Sequence, residues 1–127
     1  TVSQALNTED IAVSDSYSLA ISGVIDSKYK QGAGIGLLVD SASTVSLMFK
    51  AQVKINDQWH DLYREIGGVF ELEEYTLPLQ SGVSDQRLAT RFVLDGIRET
   101  RLVFKTGAGT ATIKEIYLTA EQEEIRG

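Results

Sequence analysis

Two glutamates at alternate positions, Glu71 and Glu73, come closest in this sequence to a catalytic pair. Residues i and i+2 of a β-strand point to the same face, and glycoside hydrolysis uses two carboxylates about 5 to 10 Å apart. The structural explanation is a solvated strand edge, because like charges on an exposed strand deter pairing with another chain. We expect the solvated edge and keep a glycan-cleaving enzyme that uses Glu71 or Glu73 as an alternative.

Aromatic and arginine side chains offer a second kind of chemistry, which is binding without turnover. Trp59 and Tyr63 share parity in one extended segment, so they could form an exposed platform that stacks on sugar rings. The alternative is that Trp59 anchors the core, because its large apolar area is costly to leave in water. Arg98 and Arg101 are predicted to make contacts between subunits or to lie on a solvated face. These four residues are the predicted ligand or interface residues.

The remaining catalytic inventory is small. The 127-residue chain has no Cys and one His, which excludes disulfide scaffolds, cysteine-ligated metal sites and thiol nucleophiles. His60 and Asp61 would point to opposite faces of a strand, which does not suit a metal site. The glycines of Gly32–Gly36 lead into an apolar run and not into a helix, so we expect close strand packing there instead of a phosphate loop. We predict no catalytic residue, metal or cofactor, and therefore a protein that is not an enzyme.

The charge balance argues against two classes of partner. Twelve basic and 18 acidic residues give a formal net charge of −6, which opposes attraction to nucleic-acid backbones and anionic membranes. No stretch of 18 apolar residues occurs, and the first 20 residues lack a signal-peptide pattern. We therefore expect neither nucleic acid nor a membrane as a partner.

Alternation of apolar and polar residues predicts the strands that position these groups. Every second residue of Val45–Ile55 is apolar, which indicates a strand with one buried face. Asn56–Gln58 supplies turn-forming residues before Trp59–Tyr63 resumes an extended pattern, so this region is a predicted hairpin. A second hairpin is predicted around Gly107–Gly109, with a β-bulge near Lys114–Glu115, where the apolar phase slips.

Short strands at intervals of about 8 to 12 residues predict an all-β fold, a single antiparallel β-sandwich domain of jelly-roll type over residues 1–127. Pro78 should mark an edge strand or a strand end. Ser84–Phe92 could form one short helix in place of a strand. Residues 1–10 are a candidate N-terminal arm, and residues 119–127 are a predicted acidic tail. The other predicted strands are Ile11–Val13, Tyr17–Ile21, Ala33–Val39, Val69–Leu72, Tyr75–Leu79 and Leu88–Leu94.

Two of these hairpins carry a resemblance. Ala51–Leu62 is an alternating strand that ends in a polar turn and a Trp, and Arg98–Phe104 is a strand with Arg followed by the Gly-turned strand Gly107–Ile113. Together they resemble small tailed-phage virion structural proteins of the capsid-decoration or head-fibre type. They are also similar to galactose-binding-like or discoidin-type carbohydrate-binding modules.

The two resemblances imply different partners. The first implies a non-enzymatic virion structural or accessory protein, made in the cytoplasm of a host bacterium, that binds other virion proteins or itself as a homo-oligomer. The second implies a secreted carbohydrate-binding module of a bacterial polysaccharide-active protein, with a glycan as partner. Discoidin-type domains are usually longer and are often closed by a disulfide. The virion role is therefore the main hypothesis, and glycan binding is the alternative.

Overall fold

The computed structural model of the protein describes residues 2–17, 25–26, 30–93 and 99–122. Within these ranges the chain is all-β, with twelve strands and no helix. The strands are β1 (Val2–Asn7), β2 (Ile11–Val13), β3 (Ile25–Asp26), β4 (Lys30–Ser41), β5 (Ser46–Ile55), β6 (Gln58–Asp61), β7 (Tyr63–Ile66), β8 (Val69–Leu72), β9 (Glu74–Pro78), β10 (Gln86–Val93), β11 (Glu99–Thr106) and β12 (Ala111–Gln122).

Two five-stranded antiparallel sheets form a sandwich, as the sequence predicts. Sheet A has the order β1-β12-β4-β10, and β2 also pairs with β12. Sheet B has the order β3-β11-β5-β6, and β9 pairs with the other half of β5. A separate two-stranded hairpin, β7-β8, lies between β6 and β9 in the chain.

The core fills the space between the two inner faces. Alternation along β5 buries Phe49 and Ala51 completely, and the Phe49 ring lies 5.6 Å from the Phe104 ring and 5.0 Å from the Tyr75 ring, between centroids. Burying one phenylalanine side chain stabilises the fold by about 1.5–3 kcal/mol. The same alternation leaves every second residue on the outer faces, where ligands can reach it. The fourteen residues of the core cluster are Val13, Ile35, Leu37, Val39, Leu47, Phe49, Ala51, Leu79, Leu102, Phe104, Ala111, Ile113, Ile116 and Leu118.

Local backbone signals in the sequence are confirmed. Asn56 and Asp57 both have positive φ, 52° and 60°, which gives the two-residue turn whose twist matches a β-hairpin. The predicted bulge is present as a register shift between Ile113 and Glu115. Pro78 ends β9, which pairs with β5 and with no other described strand. Val45 is 67% exposed and precedes the strand, so β5 begins one residue later than predicted.

The short helix considered for Ser84–Phe92 is wrong. Residues 86–93 form β10, which pairs with β4 along its whole length. Asp85 has a φ of 56°, and its backbone N–H donates to Asp40 Oδ1 at 2.7 Å. This contact fixes the turn before β10, so the chain enters a strand against β4 and does not begin a helix.

Both ends of the described chain lie in sheet A. Val2–Asn7 of the candidate arm pairs with β12, and β12 extends through residues 119–122 of the predicted tail. Residues 123–127 lie outside the described residues, as do residues 18–21 of the strand predicted over Tyr17–Ile21. Tyr17 itself is described and lies outside any strand.

Candidate functional site

A groove with a volume of about 420 Å³ lies on the outer face of sheet A. Its floor is the central strand β4 at Gly34 and Gly36, and its walls are β12 and β10, which flank β4 on either side. Neighbouring strands are about 4.8 Å apart, so the walls stand about 10 Å from each other. The lining residues are Gly34, Ile35, Gly36, Ala89, Thr90, Arg91, Tyr117 and Thr119.

Neither floor glycine is demanded by the backbone or by packing. Both lie outside the positive-φ region, and a Cβ added to Gly36 would meet no atom within 4 Å. A Cβ on Gly34 would make only an ordinary contact, 3.8 Å from the Thr119 carbonyl oxygen. Close strand packing, the prediction for Gly32–Gly36, is therefore wrong at Gly34 and Gly36. Glycine inside a strand costs about 0.5–1 kcal/mol relative to alanine. Gly34 and Gly36 therefore lower the stability of the fold, and what they leave in return is open space above β4.

The walls combine an aromatic ring with hydrogen-bonding groups. Tyr117 is 39% exposed, and the register places it across Gly36 from Ala89, a side chain too short to cover the ring. Its hydroxyl donates to Glu115 Oε2 at 3.2 Å. The charge of Glu115 raises the pKa of Tyr117, so the phenol stays a neutral donor and acceptor. Arg91 pairs with Gly34, the other floor glycine, and adds a guanidinium to the wall formed by β10.

The outer face of sheet B carries a different arrangement, centred on Trp59. The register pairs Trp59 with Lys54, which points away from the core because its neighbour Val53 is buried. The alternative in which Trp59 anchors the core is therefore wrong. The Arg101 guanidinium lies 4.4 Å from the ring centroid and Lys54 Nζ lies 6.0 Å from it. The indole is half-buried, and these two cationic side chains lie over it.

A chain of polar contacts holds Arg101 in place. Its Nε donates to Gln52 Oε1 at 2.8 Å, and Gln52 Nε2 donates to Asp61 Oδ1 at 2.8 Å. Lys50 Nζ lies 2.9 Å from the same Asp61 oxygen. Burial acts to raise the pKa of Asp61, but the hydrogen bonds from Gln52 and Lys50 outweigh it and hold that pKa below its ordinary value. Asp61 thus stays ionised, and Arg101 is held by a neutral amide.

Tyr17 covers the next part of this face. Lys50 Nζ lies 4.5 Å and Lys105 Nζ lies 5.0 Å from its ring centroid, and its hydroxyl donates to Glu74. Burial, the hydrogen bond to Glu74 and the charges of Glu74 and Asp61 together raise the pKa of Tyr17 far above its ordinary range. The phenol is therefore a fixed donor that closes the network on this side.

The predicted site residues are only partly brought together. Arg101 contacts Trp59, whereas Tyr63 lies in the β7-β8 hairpin and is 54% exposed. Leu62, whose N–H donates to the Ala51 carbonyl, is the last residue bonded to sheet B before the hairpin begins. Tyr63 and Trp59 are an even number of residues apart, but they do not share a face because Tyr63 belongs to the hairpin. Arg98 lies outside the described residues.

The two glutamates considered as a catalytic pair occupy different environments. Glu71 is exposed in β8, but Glu73 is 2% exposed. Its carboxylate accepts a hydrogen bond from the Tyr75 hydroxyl and lies 3.4 Å from Arg64 Nε. The solvated edge predicted for this region is wrong at Glu73, because the backbone of Glu73 is bonded to both Leu62 and Ala51 and draws the side chain inward.

Residues 2–17, 25–26, 30–93 and 99–122 contain no group of three or more His, Asp or Glu side chains that could hold a metal ion. In the same ranges, no helix has the length and apolarity needed to cross a membrane.

Sequence reasoning missed Tyr117 and the open floor of the groove. The available signal was the spacing of Gly32, Gly34 and Gly36, which are every second residue and so share one face of a strand. Glycines on an outer face add no side chain, so at Gly34 and Gly36 this spacing marks the floor of a groove and not close packing.

No protein-family model matches the chain, and no curated protein sequence does. Among solved structures, the chain is similar to the CBM22-1 and GH10 modules of endo-1,4-beta-D-xylanase 10B from Clostridium thermocellum, solved with xylohexaose, at 10% identity and a TM-score of 0.49. The match covers 98% of this chain and 27% of that chain.

Proposed function

We propose that the protein is a non-catalytic glycan-binding domain and that its binding site is the groove on sheet A. The observation that carries this proposal is the floor at Gly36, where a Cβ would meet nothing within 4 Å. A strand that omits two side chains without a backbone reason forms a channel, and the volume of about 420 Å³ is within the range of ligand sites.

The groove chemistry suits a sugar chain. A sugar ring has apolar C–H faces and hydroxyls that both donate and accept hydrogen bonds. Tyr117 supplies an aromatic surface with a polar tip, while Arg91 and Thr119 belong to types that supply donors and a hydroxyl. The floor follows the direction of β4, so successive rings could lie along the strand.

The same lining argues for binding without turnover. Among the described residues, none of the eight that line the groove is Asp or Glu, whereas glycoside hydrolysis requires two carboxylates beside the scissile bond. In the glycan-cleaving alternative based on Glu71 or Glu73, one of the two carboxylates is already engaged, because Glu73 contacts Tyr75 and Arg64.

The test fills the groove. Gly36→Val adds a branched side chain to an open position in a strand, where valine is favoured, so the variant should fold. Affinity electrophoresis against a panel of neutral and acidic polysaccharides should show retardation of the wild type by at least one of them and loss of that retardation in Gly36→Val. Thr76→Val, an exposed strand position on sheet B, is the matched control and should still be retarded. A Gly36→Val protein that binds the same polysaccharide as tightly as the wild type would overturn the proposal.

One observation favours the virion hypothesis as a second candidate function. The β7-β8 hairpin exposes Ile66, Val69 and Phe70 by 49%, 59% and 71%, and an apolar surface of this kind is commonly buried by a protein partner. In that role the hairpin would contact another copy or another virion protein. A strictly monomeric protein in light scattering that does not co-sediment with capsids of a source phage would remove this candidate.

A further inference from the structure

We infer that the stacked pair of Trp59 and Arg101 on the outer face of sheet B is a second binding site, which takes the carboxylate of a uronic acid in an acidic glycan. The choice of a glycan rests on the proposed function, but the site itself is independent of the groove. The two sites lie on outward faces of opposite sheets, so one domain could hold two sugar chains.

The charge of Arg101 is the first part of the argument. The only hydrogen-bond partner that the described residues give this guanidinium is the neutral Gln52 oxygen, at 2.8 Å from Nε. No Asp or Glu in the described ranges forms an ion pair with it. The Nη groups are the pair of donors that binds a carboxylate in bidentate fashion. A cation fixed by an amide in a chain of net charge −6 is thus set up to accept an anion.

The rigidity of the pair is the second part. Gln52 cannot reverse its amide without losing both the bond to Arg101 and the bond to Asp61. Asp61 is in turn held at 2.9 Å by Lys50. Arg101 is therefore held over the Trp59 ring in one position, which lowers the entropy cost of binding.

The neighbouring charges leave room for an anion. Lys54 is paired with Glu99 at 3.7 Å, Asp61 is paired with Lys50, and Glu74 accepts from Tyr17. The carboxylates that face this pair from β6, β9 and β11 are thus already engaged.

The aromatic ring selects the kind of carboxylate. An acidic peptide offers a carboxylate on a flexible chain, whereas a uronic acid carries it on a ring whose apolar face can pack against an indole. Trp59 lies 4.4 Å from the Arg101 guanidinium, so one residue of uronic acid can contact both groups at once. The observations thus favour an acidic glycan over an acidic peptide.

The chain has one Trp, so its fluorescence reports on this site alone. Oligogalacturonate should change the fluorescence of the wild-type protein in a saturable way, and its methyl ester, which has the same ring without the charge, should bind about 10- to 100-fold more weakly. The Gly36→Val protein should show the same titration, because its groove is filled while Trp59 is untouched. Failure of the proposed function and failure of this inference are therefore separate results.

Variants of Arg101 complete the test. Arg101→Gln should weaken oligogalacturonate binding by about 10- to 100-fold and remove the preference over the methyl ester. Arg101→Lys should recover part of the affinity, since it keeps the charge but not the planar pair of donors. Lys105→Gln, which removes one positive charge from the same face next to Tyr17, should change affinity by less than about threefold.

Three results would overturn the inference. The first is wild-type fluorescence that does not respond to oligogalacturonate. The second is an Arg101→Gln protein that is folded by circular dichroism and binds as the wild type does. The third is equally tight binding of a poly-glutamate peptide, which would show that the site recognises carboxylates without a sugar ring.

Discussion

The outer faces of the two sheets use the same strand geometry in opposite ways. Sheet A omits side chains at Gly34 and Gly36 and leaves an open groove. Sheet B fills the equivalent positions of its central strand with Lys50, Gln52 and Lys54, which are linked into ion pairs and hydrogen bonds. The outer face of sheet A therefore has an open groove and that of sheet B has a network of charged side chains, although both sheets pack on the same core.

The two faces also differ in how much their outer residues stabilise the fold. On sheet B the ion pair between Lys54 and Glu99 is exposed on both sides, and such a pair contributes about 0–1 kcal/mol. The pair between Lys50 and Asp61 is partly buried. A different case is Glu73 at the base of the β7-β8 hairpin, whose side chain is 3% exposed. Sheet A has the reverse property, because its floor glycines lower stability and removing them should raise it. The two faces can therefore be told apart by the sign and size of single substitutions.

Among single substitutions, the change that should destabilise the fold most is at Glu73. Glu73→Ala leaves the Tyr75 hydroxyl without its acceptor and opens a small cavity at the base of the hairpin. We expect a loss of about 2 to 3 kcal/mol in the free energy of unfolding, measured by urea denaturation. For a domain of this size the melting temperature should fall by about 10 °C.

Glu71→Ala is the matched control for this prediction. Glu71 lies two residues before Glu73 and is exposed. The substitution therefore removes the same charge from the surface, and the free energy of unfolding should change by less than about 0.5 kcal/mol. Equal effects of the two substitutions would show that the hairpin does not depend on the buried carboxylate, and the contrast drawn for sheet B would fail.

The strands were predictable where one face is buried and the other is polar. The alternation over Val45–Ile55 and the turn at Asn56–Asp57 gave the β5-β6 hairpin, and the phase slip near Lys114 gave the bulge. The β7-β8 hairpin was harder, since its residues are exposed on both faces and no burial pattern marks the point at which the chain leaves sheet B.

The candidate sites were less predictable because each one joins exposed residues of different strands, and the register between the strands decides which of these residues become neighbours. Arg101 and Trp59 are 42 positions apart, and only pairing of both strands with β5 brings them together. Tyr117 and Gly36 meet in the same way, through the pairing of β12 with β4. A single sequence gives the parity within each strand but not the register between strands.

A medium effect is expected at Asp61, and it depends on pH. The folded state lowers the pKa of this carboxyl below 3.8, so the ionised form stabilises the fold above pH 3.8, and that contribution is lost as the pH falls toward the lower folded value. Asp61→Asn should cost about 1 kcal/mol at pH 7, with allowance for partial exposure. Urea denaturation at several pH values should show the difference shrinking below pH 3.8. A difference that stays constant down to pH 2 would show that ionisation of Asp61 does not stabilise sheet B.

The smallest effect has the opposite sign and tests the other face. Gly36→Ala should raise the free energy of unfolding by about 0.5–1 kcal/mol, because alanine fits the open floor and restricts the unfolded chain. Gly82→Ala is the control, since Gly82 has a φ of 76°, a conformation that costs alanine about 1 kcal/mol or more. Thermal unfolding of the two variants should therefore shift in opposite directions. If Gly36→Ala also lowered the melting temperature, the glycine would be needed by the fold, and the groove would be a by-product of that need rather than a place where stability is given up for open space.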